Sequence, residues 1–141
     1  MTRLGSLAKA PLTPGTAYGG KIEPERFAGR KEWRLAKPLG LTQFGVNYVT
    51  LQPGSWSSLR HWHAAEDEFV YVLEGLLTLV DNDGPHDLGP GDYAAFPAGE
   101  ANGHQIQNRS SAPGSFIVVG SRRPGEETIH YPDQDFGPVR K

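Results

Sequence analysis

Two histidines separated by one residue and followed by acidic residues stand in the segment HWHAAEDEFVYVLEG, residues 61–75. Because side chains at positions i and i+2 of a strand point to the same face, His61 and His63 project together if this segment is extended. Glu68 follows after a short polar stretch and begins an apolar run. A carboxylate beside an apolar interior is costly unless it is paired or bound to a cation. The spacing therefore predicts that these three residues are metal ligands.

A fourth candidate ligand, His104, begins a later strand after a turn at residues 97–100. Three imidazoles and one carboxylate suit Mn, Fe, Ni, Zn or Cu, and the sequence does not choose among these metals. The expected ligands of one divalent metal per subunit are His61, His63, Glu68 and His104. Two alternatives stay open: the histidines are ordinary hydrogen-bonded or surface residues, or the neighbouring Glu66 or Asp67 replaces Glu68 as the carboxylate ligand.

The segments that must position these residues are short and apolar. Candidate strands lie at residues 45–52, 57–63, 68–73, 76–81, 85–88, 92–96, 103–109 and 114–120. Turn signals rich in Gly, Pro, Asn and Asp separate them, and no segment has convincing helical periodicity. Short strands at this spacing predict an all-β fold, and their number favours a double-sheet jelly roll.

At 141 residues the chain has the usual size of one domain. Residues 1–21 are rich in Pro, Gly, Ser and Thr and are interpreted as an N-terminal arm, either a flexible tail or an arm that docks or exchanges. Residues 22–121 form the predicted barrel domain, whose first part offers an edge strand. Residues 122–141 form a polar C-terminal tail. The expected anchors of this tail are Ile129, Tyr131 and Phe136.

Composition and charge exclude several classes of function. The formal net charge is −2, so the chain shows no electrostatic footprint for nucleic acid. Arg122 and Arg123 are interpreted as a solvated pair. No apolar run approaches the ~20 residues that cross a membrane, and no secretory signal is expected at the N-terminus, so a cytoplasmic location is the default expectation. The absence of Cys excludes disulfides and thiolate chemistry.

Two motifs in this chain resemble those of the cupins. The residues that carry the resemblance are Gly54, His61, His63, Glu68 and Gly75 in the first motif, and Gly91, Pro97, Gly99, His104 and Asn108 in the second. In the second motif four residues rather than two separate Gly99 from His104, so Asn102 occupies the usual histidine position. The spacing from His104 to Asn108 nevertheless fits. The resemblance spans about residues 45–120 and implies a small single-domain cupin, a jelly-roll barrel (double-stranded β-helix) that holds one divalent metal.

The resemblance implies a metal-dependent enzyme acting on a small oxygen-rich organic molecule, because cupins of this size include dioxygenases, isomerases and lyases. We expect a dioxygenase first and an isomerase or lyase second. The alternative is a non-catalytic cupin that binds or senses a small ligand. Four protein ligands on an octahedral metal leave about two positions for substrate oxygens or water.

The sequence also suggests which residues surround the metal, and it predicts one binding partner. The candidate pocket residues are Tyr48, Trp62 and Asn102, and the guesses for a base are Tyr48, Tyr93 and Glu74. Asn102 either donates a hydrogen bond to the ligand or only caps its turn. Because a single jelly roll leaves an open sheet edge, we expect a homodimer in which the arm or tail covers that edge on a neighbour.

Overall fold

The computed structural model describes residues 1–15, 18 and 21–141. The strands within this part of the chain are β1 (Leu12–Pro14), β2 (Arg30–Arg34), β3 (Phe44–Leu51), β4 (Trp62–His63), β5 (Glu68–Glu74), β6 (Leu77–Asp81), β7 (Gly84–Leu88), β8 (Tyr93–Phe96), β9 (Gln105–Gln107), β10 (Gly114–Ser121), β11 (Thr128–His130) and β12 (Val139–Arg140). The helices are α1 (Pro24–Phe27) and two 3-10 turns, Leu7–Lys9 and Lys37–Leu39. None of the described helices has the length and apolar character that crossing a membrane requires.

The strands form two layers. One layer is an antiparallel six-stranded sheet in the order β1-β2-β3-β10-β5-β8. The other contains β7-β6-β9 and β12-β11-β4. Residues 54–61 join these two groups, since this segment runs beside β9 with bridges at Trp56–Gln107 and His61–His104. The predicted all-β jelly roll is confirmed.

The apolar core fills the space between the layers. Its buried members are Val49, Leu51, Val70, Val72, Leu77, Leu79, Ile106 and Phe116. On β3 and β5 these residues alternate along the strand, because a strand sends successive side chains to opposite faces. Full burial of each large apolar side chain contributes about 1.5–3 kcal/mol. The core thus packs the two layers against each other.

The structure differs from the predicted strands in two ways. The predicted strand at 57–63 is reduced to β4, because side chains replace part of its backbone pairing: Ser57 Oγ accepts from Ile106 N at 2.9 Å. The strands β1, β11 and β12 lie outside the candidate ranges, whereas β2 lies in the segment expected to offer an edge strand but pairs on both sides, with β1 and β3. On β2 the inward-facing residues are Arg30, Glu32 and Arg34, which line a polar cavity, so no apolar alternation marks this strand.

The N-terminal residues dock on their own chain. β1 pairs with β2 through partners such as Leu12 and Trp33, and Arg3 Nη1 donates to Leu39 O at 2.8 Å. This is the docked form of the expected arm, for residues 1–15; residues 16, 17, 19 and 20 lie outside the described part. The C-terminal residues also join the sheets, since β11 pairs with β4. The boundaries of arm, barrel and tail stay a prediction.

Candidate metal centre

A β-bridge places two of the predicted ligands opposite each other. His61 N donates to His104 O at 3.1 Å, and His104 N donates to His61 O at 2.9 Å. Glu68 begins β5 in the facing sheet and turns its side chain toward this bridge. As a result, one potential ligand atom from each of His61, Glu68 and His104 lies within 4.8 Å of the others.

His63 joins this group from β4. Its Nε2 lies 3.3 Å from Glu68 Oε2, and the ring centroids of His61 and His63 are 5.0 Å apart. The structure therefore brings together all four residues that the sequence singled out, and they are termed the ligand cluster. Asp67 is turned away from the cluster, since its Oδ1 accepts from Ala98 N at 2.8 Å, whereas Glu66 lies in a second group with His63 and Glu127.

The hydrogen bonds of two imidazoles define which nitrogen is available. His61 Nδ1 lies 2.8 Å from Leu59 O, and His104 Nδ1 lies 3.0 Å from Asn102 O. Because a carbonyl oxygen only accepts, these contacts assign the proton to Nδ1 in both rings and leave Nε2 with its lone pair. In each case the acceptor is the carbonyl two residues earlier in the chain.

The ligand cluster fits a divalent transition metal. His104 Nε2 lies 2.8 Å from Glu68 Oε1, and two such acceptors approach this closely only with a proton or a cation between them. Both ring nitrogens of His63 are buried without a hydrogen-bond partner. Three imidazoles and one carboxylate are also a donor set that Mn, Fe, Ni, Zn and Cu accept.

Electrostatics favour the protonation states that a metal requires at Glu68 and His61. Burial opposes ionisation of Glu68, but the neighbouring imidazoles of His104, His63 and His61 outweigh it and hold the pKa of this carboxyl well below its usual range. Burial lowers the pKa of His61 to about 4, against the attraction of Glu68. For His63, burial is outweighed by Glu68, Glu127 and Glu66, which raise its pKa. Near neutral pH the cluster thus holds an ionised carboxylate beside the neutral imidazole of His61.

Three members of the ligand cluster, His61, Glu68 and His104, line a cavity of about 330 Å³. The apolar part of its wall comprises Val49, Val70, Phe96, Phe116, Val118 and Ile129. Two phenols, Tyr18 and Tyr131, line it as well. Burial raises the pKa of both phenols, so each is protonated near neutral pH. The cavity therefore offers phenol groups and an apolar wall next to the ligand cluster.

Cationic side chains also line this cavity. Arg30 is already engaged, since it forms an ion pair with Glu32 and its Nη1 donates to Gly15 O at 2.9 Å. The others, Arg34, Arg122 and Lys141, are termed the cation set. Within the described residues, the carboxylate oxygen that pairs with Arg122 is 3.9 Å away, and Arg34 and Lys141 form no side-chain ion pair. The cation set can therefore attract an anionic ligand.

A glycine allows Arg122 to lie on the sheet. A Cβ added at Gly45 would stand 2.2 Å from Arg122 Nη2, so only glycine leaves room for the guanidinium there. Gly45 pairs with Gly120, which in turn pairs with Glu68. Arg122 thus lies over the same row of the sheet that carries the carboxylate of the ligand cluster. Arg122 is exposed, as the interpretation of a solvated pair expects, but it also lines the cavity, whereas Arg123 has an exposed side chain near Glu126.

The residues suggested as a pocket wall or base from β3, β5 and β8 lie away from this cavity. Tyr48 packs on Trp33, with ring centroids 5.4 Å apart, and lines a separate groove with residues of the N-terminal arm. Strand alternation is the reason, because Gly45, Asn47 and Val49 occupy the inward positions of β3. Tyr93 is 66% exposed and Glu74 is exposed at the end of β5.

Trp62 and Asn102 lie behind the ligand cluster. Trp62 stacks on His130 with ring centroids 4.1 Å apart, and both Trp62 and Asn102 line a small cavity of about 20 Å³. The Asn102 side chain accepts from Asn82 N at 2.9 Å and donates to Asp81 Oδ2 at 3.3 Å. These contacts support the alternative in which the Asn102 side chain only stabilises its turn. The backbone carbonyl of Asn102 contacts His104 Nδ1 and orients this ring.

Sequence reasoning missed Glu127. Its side chain is fully buried, and its Oε2 lies 3.3 Å from His63 Nδ1. The residue stands in a polar C-terminal segment without apolar periodicity, so no local signal separates it from the solvated acids around it. Only the pairing of β11 with β4 brings it to the ligand cluster.

Known proteins resemble the whole chain. Residues 47–120 match the family model described as the cupin domain. A structure from Silicibacter pomeroyi, named a sugar phosphate isomerase from a cupin superfamily, is 48% identical, covers 95% of this chain and 88% of its own, and has a TM-score of 0.86. One from Acidithiobacillus ferrooxidans, provisionally named a sugar phosphate isomerase, is 28% identical, with coverages of 81% and 70% and a TM-score of 0.70. No curated protein matches the chain.

The polyketide cyclase RemF from Streptomyces resistomycificus is 22% identical, with coverages of 97% and 89% and a TM-score of 0.71, a likeness that shows the fold alone. The family model covers more than half of the chain and includes both histidine-containing motifs. These matches agree with the jelly roll and with the motif residues brought together in it. The chain belongs to the cupin superfamily.

Proposed function

We propose that this protein is a metal-dependent isomerase of a sugar phosphate. The observation that carries the proposal is a single cavity lined both by His61, Glu68 and His104 of the ligand cluster and by the cation set. The first group suits a sugar carbonyl and its neighbouring hydroxyl, and the second suits a phosphate. The relative that shares 48% of its sequence is named a sugar phosphate isomerase, which favours the isomerase branch over the dioxygenase branch.

The ligand cluster would hold one divalent metal. When bound, such a metal polarises a carbonyl oxygen and favours ionisation of a neighbouring hydroxyl or C–H group. The protein residues prepare this by orientation: carbonyl acceptors fix two of the imidazoles, and Phe96 stacks on His104 with ring centroids 3.6 Å apart. Within the cavity, the protonated phenol of Tyr131 can donate a hydrogen bond to a substrate oxygen.

The phosphate would be held by Arg34 and Arg122. A guanidinium presents parallel N–H donors that match two phosphate oxygens, and it stays charged at every physiological pH. Arg30 is less suited, because Glu32 and the carbonyl oxygens of Gly15 and Ser57 already use its donors. The apolar wall between the two groups excludes water around the carbon chain.

Deuterium exchange tests this proposal. An aldose–ketose isomerase that works through proton transfer moves one proton between neighbouring carbons and another between their oxygens. In D₂O, we expect the metal-loaded protein to interconvert short aldose and ketose phosphates and to place deuterium beside the carbonyl, as followed by NMR. Unphosphorylated sugars of the same length are the matched control and should react poorly. Binding of the phosphates without any interconversion would contradict the proposal and favour a non-catalytic ligand-binding protein.

We also propose that the protein is a homodimer that pairs through the outer face of the six-stranded sheet. This face exposes Phe69, Tyr71, Leu73 and Tyr93 at 37–66% of their full accessible area. Neighbouring exposed apolar side chains of this kind often mark a protein interface. Light scattering should give a dimer for the wild type and a monomer for the Tyr71→Glu, Tyr93→Glu double variant. The exposed Leu41, changed to Glu, is the control, and a monomeric wild type would contradict the proposal.

A further inference from the structure

His63 is oriented differently from the other two imidazoles of the ligand cluster. In His61 and His104, Nδ1 contacts the carbonyl oxygen two residues earlier. For His63 the corresponding oxygen is His61 O, which accepts from His104 N at 2.9 Å in the β-bridge. The bridge that aligns two ligands therefore engages the carbonyl that would orient the third. The acceptor beside His63 Nδ1 is Glu127 Oε2, at 3.3 Å.

Backbone donors hold the Glu127 carboxylate in one orientation. Its Oε1 accepts from Ala65 N at 3.2 Å and from Thr128 N at 3.0 Å. This leaves Oε2 directed toward His63, and the Glu127 side chain has no exposed area. Within the described residues, Glu127 Oε2 and both ring nitrogens of His63 form no hydrogen bond of good geometry, although the neighbouring Glu66 also interacts with the Glu127 carboxylate. A buried acceptor without a donor is costly, so a proton on Nδ1 satisfies both groups at once.

We propose that Glu127 is a positioning residue that fixes His63 in the tautomer with its proton on Nδ1. The unprotonated Nε2 of His63 then faces Glu68, where it can bind a metal. A carboxylate behind a metal-binding histidine sets the tautomer and the direction of the ring in this way. The inference rests on the metal site of the proposed function, but not on the identity of the substrate.

Glu66 offers a competing interpretation. Ligand atoms of His63, Glu66 and Glu127 also lie within 4.8 Å of one another, so a second cation could lie among them. The backbone contacts favour the positioning role, because Glu66 Oε2 accepts from Arg123 N at 2.9 Å and both backbone donors to Glu127 use its Oε1. The two interpretations differ in stoichiometry: the first expects one metal ion per chain and the second expects two.

Glu127→Gln is the decisive variant, because it keeps the shape of the side chain and reverses its hydrogen bond. Ala65 N and Thr128 N still need an acceptor, so the amide oxygen of the glutamine stays with them. The amide NH₂ then faces His63 Nδ1 and donates to it. The proton of His63 is thereby moved to Nε2, the atom that must bind the metal.

The experiment measures the ring ¹⁵N shifts of His63 in the metal-free protein, in mildly alkaline solution where imidazoles are neutral. We expect the Nδ1–H tautomer in the wild type and the Nε2–H tautomer in Glu127→Gln. Competition with a coloured chelator should show about 10–100-fold weaker Co²⁺ binding in this variant. Glu126→Gln, which changes the exposed acid next to Glu127 in sequence, is the matched control and should keep the wild-type tautomer and affinity.

Three results would overturn the inference: an Nε2–H tautomer in the wild type, an unchanged tautomer in Glu127→Gln, or two Co²⁺ ions per chain. Circular dichroism of each variant separates a folding defect from a change in tautomer, and Glu127→Asp supplies a second carboxylate if Glu127→Gln does not fold. Because the ¹⁵N measurement uses no substrate, its failure differs from a failure of the proposed isomerase activity. A protein without isomerase activity can still have the predicted tautomers.

Discussion

The ligand cluster and the cation set line the same cavity but are built differently. In the cluster, a β-bridge aligns His61 and His104, and outer acceptors hold two of the imidazoles at 2.8–3.0 Å. In the cation set, Arg122 has a side chain that is 47% exposed and a carboxylate partner as far away as 3.9 Å. The first group is preorganised for chemistry that tolerates little displacement. The second consists of long side chains that can adjust to an anion.

The largest effect should follow from removing a member of the ligand cluster. His104→Ala deletes one imidazole and the ring that stacks on Phe96. We expect the metal bound per chain, measured by elemental analysis after dialysis, to fall from near one to below about a tenth. His86→Ala is the control, because His86 contacts Asp81 on the hairpin, outside the cluster. Full metal retention in His104→Ala would contradict the assignment of this ligand.

The next effect concerns the stability of the metal-free protein between pH 6.5 and 4. The pKa of His61 falls to about 4 in the folded protein, so over this range the unfolded chain binds more protons than the folded one. The free energy of unfolding should therefore decrease by about 2–3 kcal/mol as the pH drops across this window. The raised pKa of His63 affects a different pH range. Its contribution to stability is fully present below pH 6.5 and is lost as the pH rises through the pKa of His63 in the folded protein.

Urea denaturation at a series of pH values measures this dependence. His61→Gln is the informative variant, because it removes the imidazole whose pKa is lowered and should flatten the curve between pH 6.5 and 4. A wild-type protein whose stability is constant over this window would contradict the burial of a neutral His61. The cation set predicts no such dependence, since guanidinium groups stay charged throughout.

A smaller effect is expected in the cation set. Arg122→Ala removes a guanidinium that lines the cavity, whereas Arg123→Ala removes the neighbouring exposed one. Loss of one charge-assisted contact to a phosphate costs about 1.5–3 kcal/mol, so KM for a sugar phosphate should rise about tenfold or more in Arg122→Ala, with kcat little changed. Arg123→Ala should match the wild type. Equal effects of the two variants would show that Arg122 acts only through long-range charge.

The same contrast explains what the sequence could predict. The ligand cluster could be predicted because two histidines at i and i+2 share a strand face and because both motifs have a recognisable spacing, even with an insertion before His104. The cation set could not be predicted from the sequence, because Arg34 lies on a strand without apolar alternation and Arg122 reaches the cavity only where Gly45 leaves room. Glu127 depends in the same way on the pairing of β11 with β4. Contacts between distant segments carry no local signal.

The smallest effect should come from Gly45→Ala, which alters the cation set without removing a charge. The new Cβ would stand 2.2 Å from Arg122 Nη2, so the guanidinium must move, and it can do so because it ends a flexible and half-exposed side chain. We expect KM for a sugar phosphate to rise a few-fold, less than in Arg122→Ala, with metal content unchanged. Gly89→Ala is the control, since its Cβ would meet only Asp92 Oδ2 at 3.8 Å.

In the double variant Gly45→Ala, Arg122→Ala, the glycine substitution should add nothing, because the side chain that it displaces is gone. An additive loss would instead mean that the methyl group blocks the cavity itself, and the role of Gly45 in seating Arg122 would have to be abandoned.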